Sequence, residues 1–261
     1  MTLLLVKILL SAGLVGAATL VQRHYGHRAS GFLVGLPITT APYLLLVAIQ
    51  HGSQFTVHSA QGVLQGQIAL LLFLVSYVRA PITWPWWITL TSSTSLCLIA
   101  TILISRHLLP PLLTIVVLAL FWLATFKLWP VTSVQRVQVV QARWELPTRL
   151  LVTLLILVGL TQISPYLGAS LAGGLATLPV ISIVLCGATH RRWGPNGPRQ
   201  FLRGLLLSLP GATSFALVVA LIAPLINRYL ALSLALALTL AVARLQSRHL
   251  WMGKRERMKS A

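Results

Sequence analysis

The chain has 261 residues, of which 57% are hydrophobic and only 8% charged, against about 25% charged in an ordinary soluble domain. That composition excludes a soluble globular fold, because apolar stretches of roughly 20 residues, enough to cross about 30 Å of hydrocarbon, recur along the whole length. Twenty Lys and Arg face two acids, Glu145 and Glu256, for a net charge of +18. The bases sit in short links between apolar stretches, where they orient helices and meet anionic lipid headgroups, so no nucleic acid is expected.

Hydrophobic runs, broken at charges and at Gly/Pro clusters, predict an all-α polytopic transmembrane bundle of about nine helices, with eight and ten as the alternatives. In chain order they span residues 2–21, 31–50, 61–78, 83–104, 108–126, 150–162, 171–189, 204–222 and 230–245. The first has no basic run before it and no convincing small-residue cleavage site after it, so it reads as a mature spanning helix and not a signal peptide. Cys97 and Cys186 fall inside apolar segments, where a thiol behaves as a small hydrophobe and no disulfide is expected.

Nine helices sort the bases sharply: seventeen of the twenty Lys and Arg fall on one side and only Lys7, Arg106 and Arg228 on the other. Cytoplasmic links carry the Lys/Arg excess, which places the N-terminus outside (periplasmic) and the C-terminus in the cytoplasm. Most tryptophans, among them Trp84, Trp86, Trp129 and Trp193, lie at the ends on that side, as an interfacial aromatic belt would have them, and Trp122 lies nearby.

Residues 30–37 (Ser-Gly-Phe-Leu-Val-Gly-Leu-Pro) align with residues 172–179 (Ala-Gly-Gly-Leu-Ala-Thr-Leu-Pro) at an offset of 142. The same offset pairs Lys7 with Arg149, Gly52 with Gly194 and Gly62 with Gly204, and one inserted residue brings Pro81 onto Pro224. An odd number of helices separates the two copies, so the second is inverted. The loops agree: the basic link 22–30 corresponds to the uncharged 163–170, and 51–60, free of Lys and Arg, corresponds to 190–203 with four Arg. The predicted organisation is a first repeat of four helices at 1–104, a connector helix and basic loop at 105–148, an inverted second repeat at 149–246 and a basic cytoplasmic tail at 247–261.

The second helix of each copy is rich in Gly and Pro: Gly31, Gly35, Pro37 and Pro42 with Thr39 and Thr40, against Gly173, Gly174 and Pro179 with Ser182. Proline removes a helical hydrogen bond, and interrupted helices at matching positions of inverted halves are the best sequence pointer to a transport site. The third helices add Gln61, Gln65, Gly66 and Gln67 in one copy and Pro210, Gly211, Thr213 and Ser214 in the other. The substrate-binding candidates are therefore Gly35, Pro37, Thr39, Thr40, Pro42, Gln65, Gln67, Gly173, Gly174, Pro179, Ser182, Thr213 and Ser214. The competing reading is structural: glycines for close helix approach, prolines for kinks and glutamines bonding neighbouring helices.

No apolar segment contains Asp or Glu, which weighs against carboxylate-based cation coupling and favours an anionic or neutral solute. Lys7 and Arg149 mark equivalent membrane ends, snorkelling being the alternative role. His51 and His58 are loop histidines that could sense external pH. No catalytic motif, cofactor site or metal-ligand spacing is found, and no enzyme activity is expected.

The run Ser-Gly-Phe-Leu-Val-Gly-Leu-Pro-Ile-Thr-Thr-Ala-Pro at residues 30–42 resembles the Gly-Leu-Pro segment of small uncharacterised bacterial inner-membrane families, including the short alginate-associated one. The resemblance covers about one segment per half and implies a bacterial inner-membrane location. The expected function is a small transporter or permease. The alternative is a non-transporting subunit anchoring a cytoplasmic protein partner through residues 127–149, 190–203 and the tail, and a membrane enzyme is third.

Overall fold

A computed structural model describes residues 40–107, 109–130 and 166–259, with isolated positions at 32, 36–37, 151, 155, 159 and 162–163; for 181, 184, 192–193 and 247–259 it describes the backbone alone. The described residues form seven helices and no strand: α1 (Thr40–Arg79), α2 (Trp86–Ser105), α3 (Pro111–Lys127), α4 (Ala169–Ala176), α5 (Val180–Trp193), α6 (Asn196–Ile222) and α7 (Arg228–Lys259). The expected first helix, nearly all of the expected 150–162 helix and the basic loop 131–148 lie outside the described residues.

Four of these helices are long and apolar enough to cross a membrane: α1, α2, α6 and the Arg228–Gln246 part of α7. The described residues are thus all-helical and compatible with a multi-pass membrane protein. α3 is apolar but has 17 residues, and starts at Pro111, where a missing N–H costs nothing because first-turn donors have no partner anyway.

Two expected links are corrected. Residues 51–60 belong to α1, whose single non-helical residue is Gly52 (φ 83°, ψ −173°). His51 and His58 therefore stand on a helix, His51 with its ring 4.7 Å from that of Phe55. Residues 190–203 are likewise helical except at Gly194 (φ 67°, ψ −168°) and Pro195, between α5 and α6. Polar side chains end an apolar run without ending the backbone hydrogen-bond ladder, so the helices outlast the hydrophobic signal. Both glycines occupy a region essentially closed to other residues, and they are 142 positions apart.

α1 is the hub. Tyr43, Phe73, Leu71 and Leu74 on it are fully buried, whereas α2, α3 and α7 turn Leu103, Leu120 and Leu240 outward. Its second segment, 53–79, lies antiparallel to α6. The Ser53 hydroxyl donates to the Ala223 carbonyl at one end (3.0 Å) and Arg199 donates to the Val78 carbonyl at the other (3.3 Å). The two partners are equally long, about 27 residues or roughly 40 Å.

Candidate functional site

The chain breaks between α4 and α5 at Thr177, Leu178 and Pro179. Pro179 (φ −80°, ψ 56°) is the centre of an inverse γ-turn, closed by the Val180 N–H on the Leu178 carbonyl at 2.8 Å. The helix then restarts with the Ile183 N–H on the Pro179 carbonyl at 2.7 Å. At positions 142 residues earlier, the Ala41 N–H bonds the Pro37 carbonyl at 2.9 Å. Proline dictates both restarts: it cannot continue the preceding ladder, yet its carbonyl can open the next.

Each break meets the middle of a long helix. Gly66, at the centre of segment 53–79, packs against the Thr177 hydroxyl and the Gly174 carbonyl. Gly211, near the centre of α6, packs against Leu36, whose Cδ2 lies 3.7 Å from where a Cβ on the glycine would stand. Between the two centres the Thr213 hydroxyl donates to Gln67 Oε1 at 2.6 Å. Both breaks and this polar pair therefore share one depth, about half-way along the paired helices.

The α1–α4 contact is made of backbone. A Cβ on Gly62 would strike the Ser170 carbonyl and one on Gly173 the Ser59 carbonyl, while one on Gly174 would meet the Ser105 hydroxyl of α2 at 2.9 Å. Close approach leaves buried polar atoms: Ser59 Oγ, Gln65 Oε1, Ser182 Oγ and Ser105 Oγ have no hydrogen-bond partner, although the Gln65 amide donates to the His107 carbonyl at 2.9 Å. Such atoms, costly in an apolar surrounding, are what a polar ligand or water would satisfy.

α6 carries Pro210 in its interior, and proline leaves the carbonyl four residues earlier, that of Leu206, without its helical donor. The Trp122 indole N–H, from α3, donates to that carbonyl at 2.7 Å. A neighbouring helix thus repairs the defect, as buried helix breaks in membranes require. Trp122 was assigned by sequence to the vicinity of the interfacial belt; here it ties α3 to α6.

At the end rich in bases, the Tyr77 hydroxyl meets His190 Nδ1 at 3.1 Å and the Cys186 carbonyl at 3.3 Å. His190 lies beyond the apolar stretch of α5, and its pKa is held below the ordinary histidine value by burial first and by the Arg199 charge second, so it is neutral near pH 7. Cys97 and Cys186 are free, buried thiols.

Of the residues singled out by sequence, Gly35, Thr39, Lys7 and Arg149 lie outside the described residues. Pro37, Thr40, Pro42, Gln65, Gln67, Gly173, Gly174, Pro179 and Ser182 are buried, and Thr213 and Ser214 partly so. Gln67 and Thr213 meet directly, whereas Ser214 turns back onto the Gly211 carbonyl of its own helix at 2.8 Å. Sequence reasoning missed Ser59, Ser105, Ser170, Tyr77 and Thr177; for the serines and Thr177 only the glycines they abut carried a signal, and for Tyr77 there was none.

No family model, curated protein or solved structure matches the chain. What the helices themselves define is a class: an α-helical chain with several membrane-length apolar helices around a central kinked one.

Proposed function

We propose that the chain is a bacterial inner-membrane protein that moves a small anionic or neutral solute by alternating access, its two halves related by an inverted internal duplication. The observation that carries this reading is the pair of breaks at Pro37 and Pro179, which restart with the same hydrogen bond and sit at one depth against opposite long helices. The glycine kinks at 52 and 194, the equal lengths of the helices that follow them and the antiparallel seating of those helices support the duplication and its inversion. Freed backbone and unpartnered hydroxyls in a shielded interior are the groups from which such sites are built. Nine spans, an outer N-terminus and a cytoplasmic C-terminus complete the reading, on the strength of the loop charges.

One observation favours the second reading, a non-transporting subunit that anchors a cytoplasmic protein: the space between α1 and α4 is filled by backbone at Gly62 and Gly173, as in static helix packing. Uptake of a broad solute panel into proteoliposomes separates the two. The transport reading expects flux for at least one small anion or neutral solute, reduced about tenfold or more in the Pro37→Ala/Pro179→Ala double variant. Unchanged flux in that variant sinks the site. No flux for any solute, together with a soluble protein retained on purification, establishes the subunit instead.

A further inference from the structure

The geometry points to a binding site for one anionic phospholipid in the groove between the base-rich ends of α1 and α3. Val75 and Val78 of α1 and Phe121 and Thr125 of α3 form apolar walls, and Arg79 and Trp129 line the base-rich end. Thr125 offers these walls no free donor, since its hydroxyl is committed to the Phe121 carbonyl at 2.8 Å. The lining therefore suits an acyl chain.

The mouth suits a phosphate. Arg79 is exposed and spends one N–H on the Leu128 carbonyl at 3.2 Å; a guanidinium carries five N–H donors in a planar fork that matches phosphate oxygens. Lys127, exposed in the last turn of α3, adds a second positive charge. The Trp129 ring lies in the same wall with its indole N–H covered, and indole is the side chain that favours the level where acyl chains give way to headgroups. Two exposed cations at one end of an apolar slot, with no carboxylate among the lining residues, define an occupant with an anionic head and a hydrocarbon tail.

A free phosphate would have no use for the slot, and a zwitterionic lipid would bring its own cation to a cationic mouth. The inference rests on the chain lying in a bilayer and not on transport. Resistance of the protein to alkaline extraction from membranes checks the embedding separately.

The test is lipid retention by the purified full chain after exchange through vesicles of equal phosphatidylglycerol and phosphatidylcholine. Phosphatidylglycerol is expected to be retained preferentially, the preference falling about fivefold in Arg79→Gln and holding in Arg106→Gln, an exposed base at the opposite end of α2. Ala124→Phe, which fills the slot and leaves the charges in place, is expected to lose the bound lipid. Excess inorganic phosphate should not displace it. Equal retention of the two lipids by the unaltered chain, an Arg79→Gln preference no different from it, or displacement by phosphate would each overturn the site.

Discussion

Segment 53–79 of α1 packs on α4 and on α6, among other neighbours, and it binds these two by opposite means. Toward α4 it offers glycines, so that backbone lies on backbone at Gly62 and Gly173, and Gly66 receives the Thr177 hydroxyl and the Gly174 carbonyl. Toward α6 it offers polar ties: Gln67 accepts from Thr213, Ser53 donates to the Ala223 carbonyl and the Val78 carbonyl accepts from Arg199, beside the fully buried Phe201 and Phe215 of α6. In lipid, apolar burial gives little drive for helices to associate, and contact area and hydrogen bonds must supply it. One helix can use both routes because Gly62 and Gly66 lie on one face and Ser53, Gln67 and Val78 on another. The glycine face depends on the absence of atoms and has no slack; the α6 face depends on the presence of groups that can be removed singly at modest cost.

The largest expected effect is therefore on the α4 side. Gly62→Leu must displace the Ser170 backbone, and a loss of about 3 kcal/mol or more is expected, read as a collapse of the unfolding midpoint in a denaturing-detergent titration. A midpoint within error of the unaltered chain would show that the crossing is not close-packed.

Next comes the repair of α6. Trp122→Phe keeps the ring and removes the donor to the Leu206 carbonyl, leaving it without a partner; a loss of about 1–3 kcal/mol is expected, while Trp122→Phe combined with Pro210→Ala should recover most of it because the helical donor returns. Failure of that rescue would break the link between the tryptophan and the proline. The smallest effect is expected from Thr213→Val, about 0.6 kcal/mol, the average for an interhelical hydrogen bond in a membrane protein. A loss as large as that of Gly62→Leu would erase the difference between the two faces.

The pattern of legibility follows the same physics. The break at Pro179 is readable because proline acts on its own backbone, and its partner at Pro37 is readable from the shared register. Gly52 and Gly194 are visible as an aligned pair, but their surroundings were read as loops, since hydropathy measures where the apolar run stops and not where the helix does. The bond from Trp122 to Leu206 and the contact of Tyr77 with His190 join residues 84 and 113 positions apart; no local pattern encodes them. Of the candidate site, the prolines, Gln67 and Thr213 were found as residues, whereas their common depth emerges only when α6 is laid against α1.

α3 has a consequence for the bilayer as a material. Its 17 residues make a rod of about 26 Å, shorter than hydrocarbon of about 30 Å, while the paired segments across the molecule measure roughly 40 Å. A bilayer crossed by α3 would thin beside it, while the long pair would tilt or project. Such a bilayer would stand at two thicknesses around the molecule, a mismatch that costs a fraction of a kcal/mol for every ångström imposed.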